Sequence, residues 1–146
     1  RFDYSVLGDA VNLASRLEGQ SKTYGVDILI GEDTRAAAPQ FAALELDVIA
    51  VKGREAAVHV YALLGDDAMR ESEEFRNLET GQAALLAAYR AQQWETARQQ
   101  VRRCRELARA EWGLDALYDL YEERIAAYEV NPPGAGWTGV YVAETK

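Results

Sequence analysis

Cysteine is almost absent from this sequence, which has a single one, Cys104, among 146 residues. One cysteine cannot form an internal disulfide, and it leaves a thiolate metal site without the further ligands that such a site needs. A reducing compartment is consistent with this usage. The scarcity of cysteine therefore excludes a fold held together by internal disulfides.

Basic residues are also fewer than acidic ones. The chain has 16 lysines and arginines and 24 aspartates and glutamates, which gives a formal net charge of −8. Nucleic acids and anionic membrane surfaces attract proteins through basic patches. The acidic balance argues against either surface as the main partner, and we expect no binding to nucleic acid.

Long apolar runs are missing as well. No stretch approaches the roughly 18–20 consecutive apolar residues of a membrane-spanning helix, and the N-terminus has no signal-peptide core. Hydrophobic residues still make up 49% of the chain, enough to bury a core, which argues against wholesale disorder. The chain opens on Arg1 without an initiator methionine, so we expect a further N-terminal part of the natural protein to precede it.

The first part of the chain, residues 1–65, has an α/β pattern. The pattern predicts a strand at 2–7, a helix from about 10 to 23 that ends at Gly25, a strand at 26–31, a short helix that opens at Asp33 and Thr34, and two strands paired as a hairpin around 53–55. His59 alternates with valines in the second hairpin strand. We interpret it as a sheet residue rather than a ligand.

The second part of the chain, residues 66–146, is predicted to be helical with an extended end. Its charged beginning, DDAMRESEEFR, indicates a connector or a solvated first turn, and three helices are expected at about 74–91, at about 94–111 and around 114–128. After NPPGAGW, the tail TGVYVAETK is expected to be extended. Trp137, directly before this tail, and Tyr141 within it could dock on the helices.

The first two of these helices resemble one tetratricopeptide repeat in the spacing of their large and small residues. The residues concerned are Tyr89, Trp94, Ala97, Val101 and Cys104. A single repeat lacks the stacking neighbours that a solenoid needs. A helical hairpin packed on the preceding domain is therefore the alternative.

The predicted helix at 10–23 carries two polar side chains on the face opposite its apolar stripe. Asn12 and Arg16 are one turn apart, about 5–6 Å between their Cβ atoms. Together they could offer an amide and a planar, permanently charged guanidinium to a phosphoryl group. Lys52, at the end of a predicted strand and before Gly53, could reach phosphate in the same way. The alternative is that all three are solvated surface groups.

In their order along the chain, these pieces resemble the second half of a class III nucleotidyl cyclase catalytic domain, the family that includes bacterial adenylate cyclases. The family motif G-[DN]-x-V-N-x-A-x-R is met by GDAVNLASR at 8–16, and VKG at 51–53 and VYAL at 60–63 follow. The resemblance covers about residues 1–64 and implies a ferredoxin-like α+β fold. The helical tail resembles the C-terminal extension of bacterial cyclases that carry a membrane-bound sensor region upstream.

The resemblance implies a role for each of four residues in converting ATP to 3′,5′-cyclic AMP and pyrophosphate. Asn12 would orient the ribose, Arg16 would stabilise the α-phosphate in the transition state, and Lys52 would hold the terminal phosphates. Ser5 takes the position that reads the base, where adenylate cyclases commonly have Asp or Thr and guanylate cyclases Cys. Ser5 departs from both patterns, but it keeps the hydroxyl of Thr, which favours ATP. Its alternative role is that of a small residue on a strand.

The resemblance also implies two Mg²⁺ or Mn²⁺ ions, whose aspartate ligands belong to the first half of the domain, before Arg1. We therefore expect no metal ligand among these residues and no activity from residues 1–146 alone. Family members form head-to-tail homodimers with shared sites, here in the cytoplasmic part of a bacterial protein that upstream segments would anchor to a membrane. The alternatives are a guanylate cyclase, or a non-catalytic interaction module whose helical tail binds a protein partner.

Overall fold

The computed structural model describes residues 19–51, with only the backbone of Val51, and residues 56–143. Over these ranges the chain is a mixed α/β structure with one four-stranded sheet and six α-helices. The strands are β1 (Leu29–Gly31), β2 (Ala42–Val51), β3 (Val58–Gly65) and β4 (Val140–Ala143). The helices are α1 (Gln20–Tyr24), α2 (Glu32–Ala37), α3 (Asp67–Glu71), α4 (Glu73–Arg90), α5 (Trp94–Leu107) and α6 (Asp115–Val130), with a short 3₁₀ turn at Ala110–Trp112.

The sheet has the strand order β1-β3-β2-β4. β3 runs antiparallel to both β1 and β2, so the predicted pairing of the two long strands is confirmed. β4 comes from the tail of the chain and runs parallel to β2, with Val140 opposite Val48 and Ala143 opposite Val51. The extended tail therefore completes a sheet whose other strands lie in the first part of the chain.

A β-bulge interrupts β2 where it packs against the helices. Between Glu45 and Asp47, β2 has one residue more than β3, so Leu46 has no opposite residue on that strand. The Leu46 carbonyl accepts a hydrogen bond from the Tyr121 hydroxyl of α6, and the Glu45 carbonyl accepts one from Gln82 Nε2 of α4 at 2.8 Å. Helical side chains therefore bond to the backbone acceptors of the bulge.

One hydrophobic cluster draws buried residues from both parts of the chain. It combines Leu44 and Ile49 of β2 with Leu85 of α4 and Leu117 and Ile125 of α6, each essentially without solvent exposure. Fully burying side chains of this kind contributes about 1.5–3 kcal/mol apiece. The helices thus share their core with the sheet, while the division into domains at 65/66 stays a prediction.

The charged stretch after β3 forms the short helix α3 and the start of α4. The Asp66 side chain accepts a hydrogen bond from the Met69 amide, and the Ser72 hydroxyl accepts one from the Phe75 amide. Each of these N-caps contributes about 1 kcal/mol by satisfying an amide that the helix leaves free. The charged residues are therefore helix starts rather than a plain connector.

The three long helices agree with the sequence prediction in number and position. α5 ends at Leu107, earlier than expected, and Gly113 in the left-handed conformation closes the 3₁₀ turn before α6. None of the helices within the described ranges is both long and apolar enough to cross a membrane. The ferredoxin-like and tetratricopeptide-like arrangements stay predictions.

Candidate functional site

The residues that the sequence singles out all lie outside the described residues: Ser5, Asn12, Arg16 and Lys52. The structure describes the elements that adjoin them in the chain. α1 begins shortly after Arg16, and β2 ends at Val51, directly before Lys52. The geometry that bears on the candidate site is therefore the way in which α1 and β2 are held together.

A buried hydrogen bond joins the end of α1 to β2. Tyr24, which has no solvent exposure, donates from its hydroxyl to Asp47 Oδ2 at 2.6 Å. Gly25 ends the helix in the left-handed conformation, with φ of 70°. A Cβ at Gly25 would lie 2.5 Å from the Cβ of Ala116, so α6 packs closely against this turn and requires glycine there. α1, β2 and α6 thus meet at one buried point.

Asp47 is fully buried at this meeting point, and it accepts hydrogen bonds from three elements. Besides Tyr24, the Val48 amide donates to Asp47 Oδ1 at 2.8 Å, and Arg124 Nη1 of α6 donates to Oδ2 at 2.7 Å. The Arg124 side chain is only 9% exposed. A buried carboxylate keeps its charge in a fold when donors and an opposite charge compensate for lost hydration.

Three tyrosine rings surround the guanidinium of Arg124. Its central carbon lies 4.3 Å from the ring centroid of Tyr141, 5.4 Å from that of Tyr121 and 5.5 Å from that of Tyr24. Such cation–π contacts strengthen as the cation loses water. Burial by itself would lower the pKa of Arg124, but the facing Asp47 carboxylate and the hydroxyls of Tyr24, Tyr121 and Tyr89 together outweigh it and hold that pKa above its ordinary value.

Burial also raises the pKa of the tyrosine hydroxyls packed between the sheet and the helices. These tyrosines are Tyr24, Tyr89, Tyr118 and Tyr121. Loss of hydration penalises the phenolate and is the largest cause in each case, so every pKa lies well above the ordinary value of 10.0. All four hydroxyls stay protonated in the folded chain at neutral pH.

We expect these four tyrosines to ionise only when the chain unfolds. The folded state keeps their protons while the unfolded state releases them, so their contribution to stability is complete below pH 10 and declines as pH rises toward the folded-state pKa. Tyrosinate absorbance and helical circular dichroism, recorded together in an alkaline titration, should show the four phenolates forming as the helices are lost. Full ionisation with unchanged dichroism would contradict the buried placement.

A second polar group lies around Glu45 on β2. Its Oε2 is 2.6 Å from Nδ1 of His59 and 3.0 Å from Nη2 of Arg90. The interpretation of His59 as a sheet residue is consistent with its place in β3, where its backbone amide also donates to Glu32. This second group connects β2 to its neighbour strand and to α4.

A cavity of about 260 Å³ opens beside this group, lined by Arg35, Ala43, Leu44, Glu45, Tyr61, Glu79, Gln82, Ala83 and Leu86. Small-molecule sites commonly measure about 300–1,000 Å³. Gln82 donates to the Glu45 carbonyl and accepts from the Tyr118 hydroxyl, and the guanidinium of Arg35 lies over the Tyr61 ring. At about 260 Å³, the cavity is smaller than a usual small-molecule site.

No group of three or more histidine, cysteine, aspartate or glutamate side chains is arranged to hold a metal ion within residues 19–51 and 56–143. The described residues therefore do not fit a metal centre. They form a scaffold that holds α1, β2 and α6 together.

The sequence prediction missed the buried pair of Asp47 and Arg124. The sequence around each of these two residues nevertheless indicates that its side chain is buried. Asp47 stands in the otherwise apolar run LDVIAV, and Arg124 follows Tyr121 by three residues and Leu117 by seven, which puts it on the buried stripe of α6. Opposite charges on two faces predicted to be buried indicate an ion pair between them.

Comparison with known proteins identifies relatives over part of the chain. It is 43% identical over 65 residues to "Adenylate cyclase" of Anabaena cylindrica, which covers 42% of this chain and 13% of that protein. It is 36% identical over 66 residues to "Adenylate cyclase 1" of Rhizobium meliloti (strain 1021), covering 44% and 10%. It is 39% identical over 77 residues to "Adenylate cyclase, terminal-differentiation specific" of Dictyostelium discoideum, covering 50% and 4%.

No family model and no solved structure matches the chain. The aligned part spans between 4% and 13% of the length of these curated relatives. Over up to half of its own length, the chain is therefore related to proteins named adenylate cyclase.

Proposed function

We propose that the chain is the C-terminal part of the catalytic domain of a class III adenylate cyclase, followed by a helical extension. The observation that carries the proposal is the similarity to three proteins named adenylate cyclase. The sequence GDAVNLASR at 8–16 supports it, since it meets the class III motif at every fixed position. In this reaction the ribose 3′-oxygen of ATP attacks the α-phosphorus, the bond from that phosphorus to pyrophosphate breaks, and the 3′-hydroxyl loses its proton.

Three residues of the chain would carry out the positioning and charge stabilisation that the reaction needs. Asn12 would hydrogen-bond the ribose region and hold the 3′-oxygen in line with the α-phosphorus. Arg16 would stabilise the negative charge that develops on the α-phosphate oxygens. Lys52 would bind the terminal phosphates, which leave as pyrophosphate. Each residue supplies donors where a phosphoryl transition state needs them.

Ser5 would contact the base. Its hydroxyl can donate to or accept from an adenine edge, as the threonine found at this position in many adenylate cyclases can. This shared chemistry supports ATP over GTP, although serine is not the usual residue there. A guanylate cyclase is the close alternative.

The proposal also includes two metal ions and a second copy of the chain. The two Mg²⁺ or Mn²⁺ ions would take their ligands from the first half of the catalytic domain. A head-to-tail homodimer would bring those ligands to Asn12 and Arg16 of the partner. The helical extension would serve regulation or a protein partner, in the cytoplasmic part of a bacterial protein.

The full-length protein, supplied with Mg²⁺ or Mn²⁺, is expected to convert ATP into cyclic AMP and pyrophosphate. Both products should form in equal amounts, and ATP should exceed GTP in kcat/KM, because Ser5 can bond to the adenine edge. Chromatographic quantification of cyclic nucleotide and pyrophosphate from each substrate checks both points. A preference for GTP would overturn the assignment of Ser5, and no cyclic nucleotide from either substrate would overturn the cyclase.

A further inference from the structure

The cavity beside Glu45 lies between two helices and the sheet. α2 packs on β1 and β3, and α4 packs on β2. Arg35 of α2, Tyr61 of β3 and Glu79 of α4 all line the cavity. A molecule bound there therefore contacts side chains from three separate elements.

The side chains of these three residues keep bonding capacity for a ligand. In residues 19–51 and 56–143, none of the three makes a side-chain hydrogen bond or an ion pair, so Arg35 and Glu79 do not pair with each other. The guanidinium carbon of Arg35 lies 5.4 Å from the ring centroid of Tyr61. Burial, and after it the Glu45 carboxylate, raises the pKa of Tyr61. Its hydroxyl is therefore protonated at neutral pH and can donate.

The remaining polar groups of the lining are already bonded. Gln82 donates from Nε2 to the Glu45 carbonyl at 2.8 Å. The Glu45 carboxylate lies 3.0 Å from Nη2 of Arg90, which balances its charge. The charges that a ligand meets in the cavity are therefore those of Arg35 and Glu79.

One positive and one negative group favour a ligand that carries both charges. The planar donors of Arg35 suit a carboxylate, and the carboxylate of Glu79 suits an ammonium. Glu79 repels a ligand that has only a carboxylate, and Arg35 repels a ligand that has only an ammonium. The complementary ligand is a zwitterion.

The volume and the apolar walls limit the rest of the ligand. The cavity measures about 260 Å³, roughly eight times the ~30 Å³ that one water molecule occupies in the liquid. Its other walls are apolar and consist of Ala43, Leu44, Ala83 and Leu86. These walls suit a short hydrocarbon side chain rather than a long or charged one.

We propose that this cavity binds a free α-amino acid with a short apolar side chain. Arg35 and the Tyr61 hydroxyl bind its carboxylate, Glu79 accepts from its ammonium, and the apolar walls contact its side chain. The bound amino acid connects α2 to α4. This inference is independent of the proposed function, because it rests on the cavity alone, and a protein without cyclase activity would leave it intact.

Isothermal titration calorimetry of the full-length protein with L-valine tests the inference. We expect one binding event per chain and a thermal unfolding midpoint that rises as L-valine is added. Two matched compounds each lack one charge: 3-methylbutanoate has no ammonium, and 2-methylpropan-1-amine has no carboxylate. Each should bind at least about tenfold more weakly than L-valine, because it loses a charged hydrogen bond.

Removing one charge of the cavity should remove the matching selectivity. In Glu79→Met, L-valine and 3-methylbutanoate should bind with similar affinity, because the ammonium has lost its partner. In Arg35→Met, L-valine and 2-methylpropan-1-amine should bind with similar affinity, because the carboxylate has lost its partner. A substitution that weakens all three compounds by the same factor would show a merely structural role and overturn the assignment of that residue.

The control variants remove charges that lie outside the cavity. Glu74→Met changes an exposed residue on the same helix as Glu79, and Arg103→Met changes an exposed residue on α5. Both should bind L-valine with unchanged affinity. The inference is wrong if L-valine gives neither heat of binding nor a shift of the midpoint, or if all three compounds bind the unsubstituted protein equally well. These two comparisons need no variant, so they decide the question even where a substitution prevents folding.

Discussion

Replacing Arg16 with alanine in the full-length protein is expected to lower kcat about a hundred- to a thousandfold, the usual cost of losing one donor aimed at developing negative charge. The KM for ATP should change little, because the guanidinium is proposed to act more strongly on the transition state than on bound ATP. Steady-state formation of cyclic AMP, measured over a range of ATP concentrations, separates the two constants.

Two further variants show which property of Arg16 accounts for the expected loss of kcat. Arg16→Lys keeps the charge but not the planar pair of donors, so it should recover only part of the lost kcat. Arg102→Ala removes an arginine that is exposed on α5 and should leave both constants unchanged. If KM rises in Arg16→Ala while kcat stays constant, Arg16 binds ATP and the transition state equally well, and the proposed transition-state role is wrong.

Local features of the fold could be predicted from the sequence because neighbouring residues determine them. The long helices follow from apolar residues at helical spacing, such as Leu117, Tyr121 and Ile125, and all three are buried. The pairing of β2 with β3 follows from two apolar runs that are separated in the sequence by a short segment containing Gly53. In each case, the spacing along the chain is enough to indicate which face is buried.

The place of the tail in the sheet could not be predicted, because the pairing joins distant segments. The pattern of the tail indicates an extended segment, and the docking of Trp137 and Tyr141 on the helices is confirmed. The sequence of the tail does not indicate which strand it pairs with, because the parallel pairing of Val140 with Val48 depends on how the helices return the chain to β2.

The bulge at Leu46 could not be predicted either. An extra residue in one strand cannot be recognised from the alternation of apolar and polar residues until the register of the two strands is known.

The candidate site also has a part that could be predicted from the sequence and a part that could not. The motif residues Asn12 and Arg16 can be recognised because their spacing within the motif is fixed, and their roles stay predictions. The buried pair in the described part of the chain is not local, because Asp47 and Arg124 are 77 residues apart in sequence. Only packing of α6 on the sheet brings these charges together.

The substitution Arg124→Met is expected to lower the free energy of unfolding by about 3–5 kcal/mol, because it leaves the buried Asp47 carboxylate without an opposite charge. Methionine keeps the unbranched apolar stem of the side chain but removes the guanidinium that the three tyrosine rings contact, and the loss of these contacts adds to the effect. Denaturant unfolding followed by circular dichroism measures the effect. The matched control is Arg105→Met on α5, whose guanidinium pairs with the more exposed Asp119 and Glu122; it should cost about 1 kcal/mol or less.

Adding Asp47→Asn to Arg124→Met removes the orphaned charge and should recover part of the loss, since an uncharged buried pair needs no compensation. Equal losses for Arg124→Met and Arg105→Met would show that the buried pair does not hold α6 to the sheet. Asp47 also accepts from Tyr24 at the end of α1. Its removal should therefore release α1 as well as α6 from β2, and increased amide exchange at Tyr24 in Asp47→Asn would show that this pair also holds α1 to the sheet.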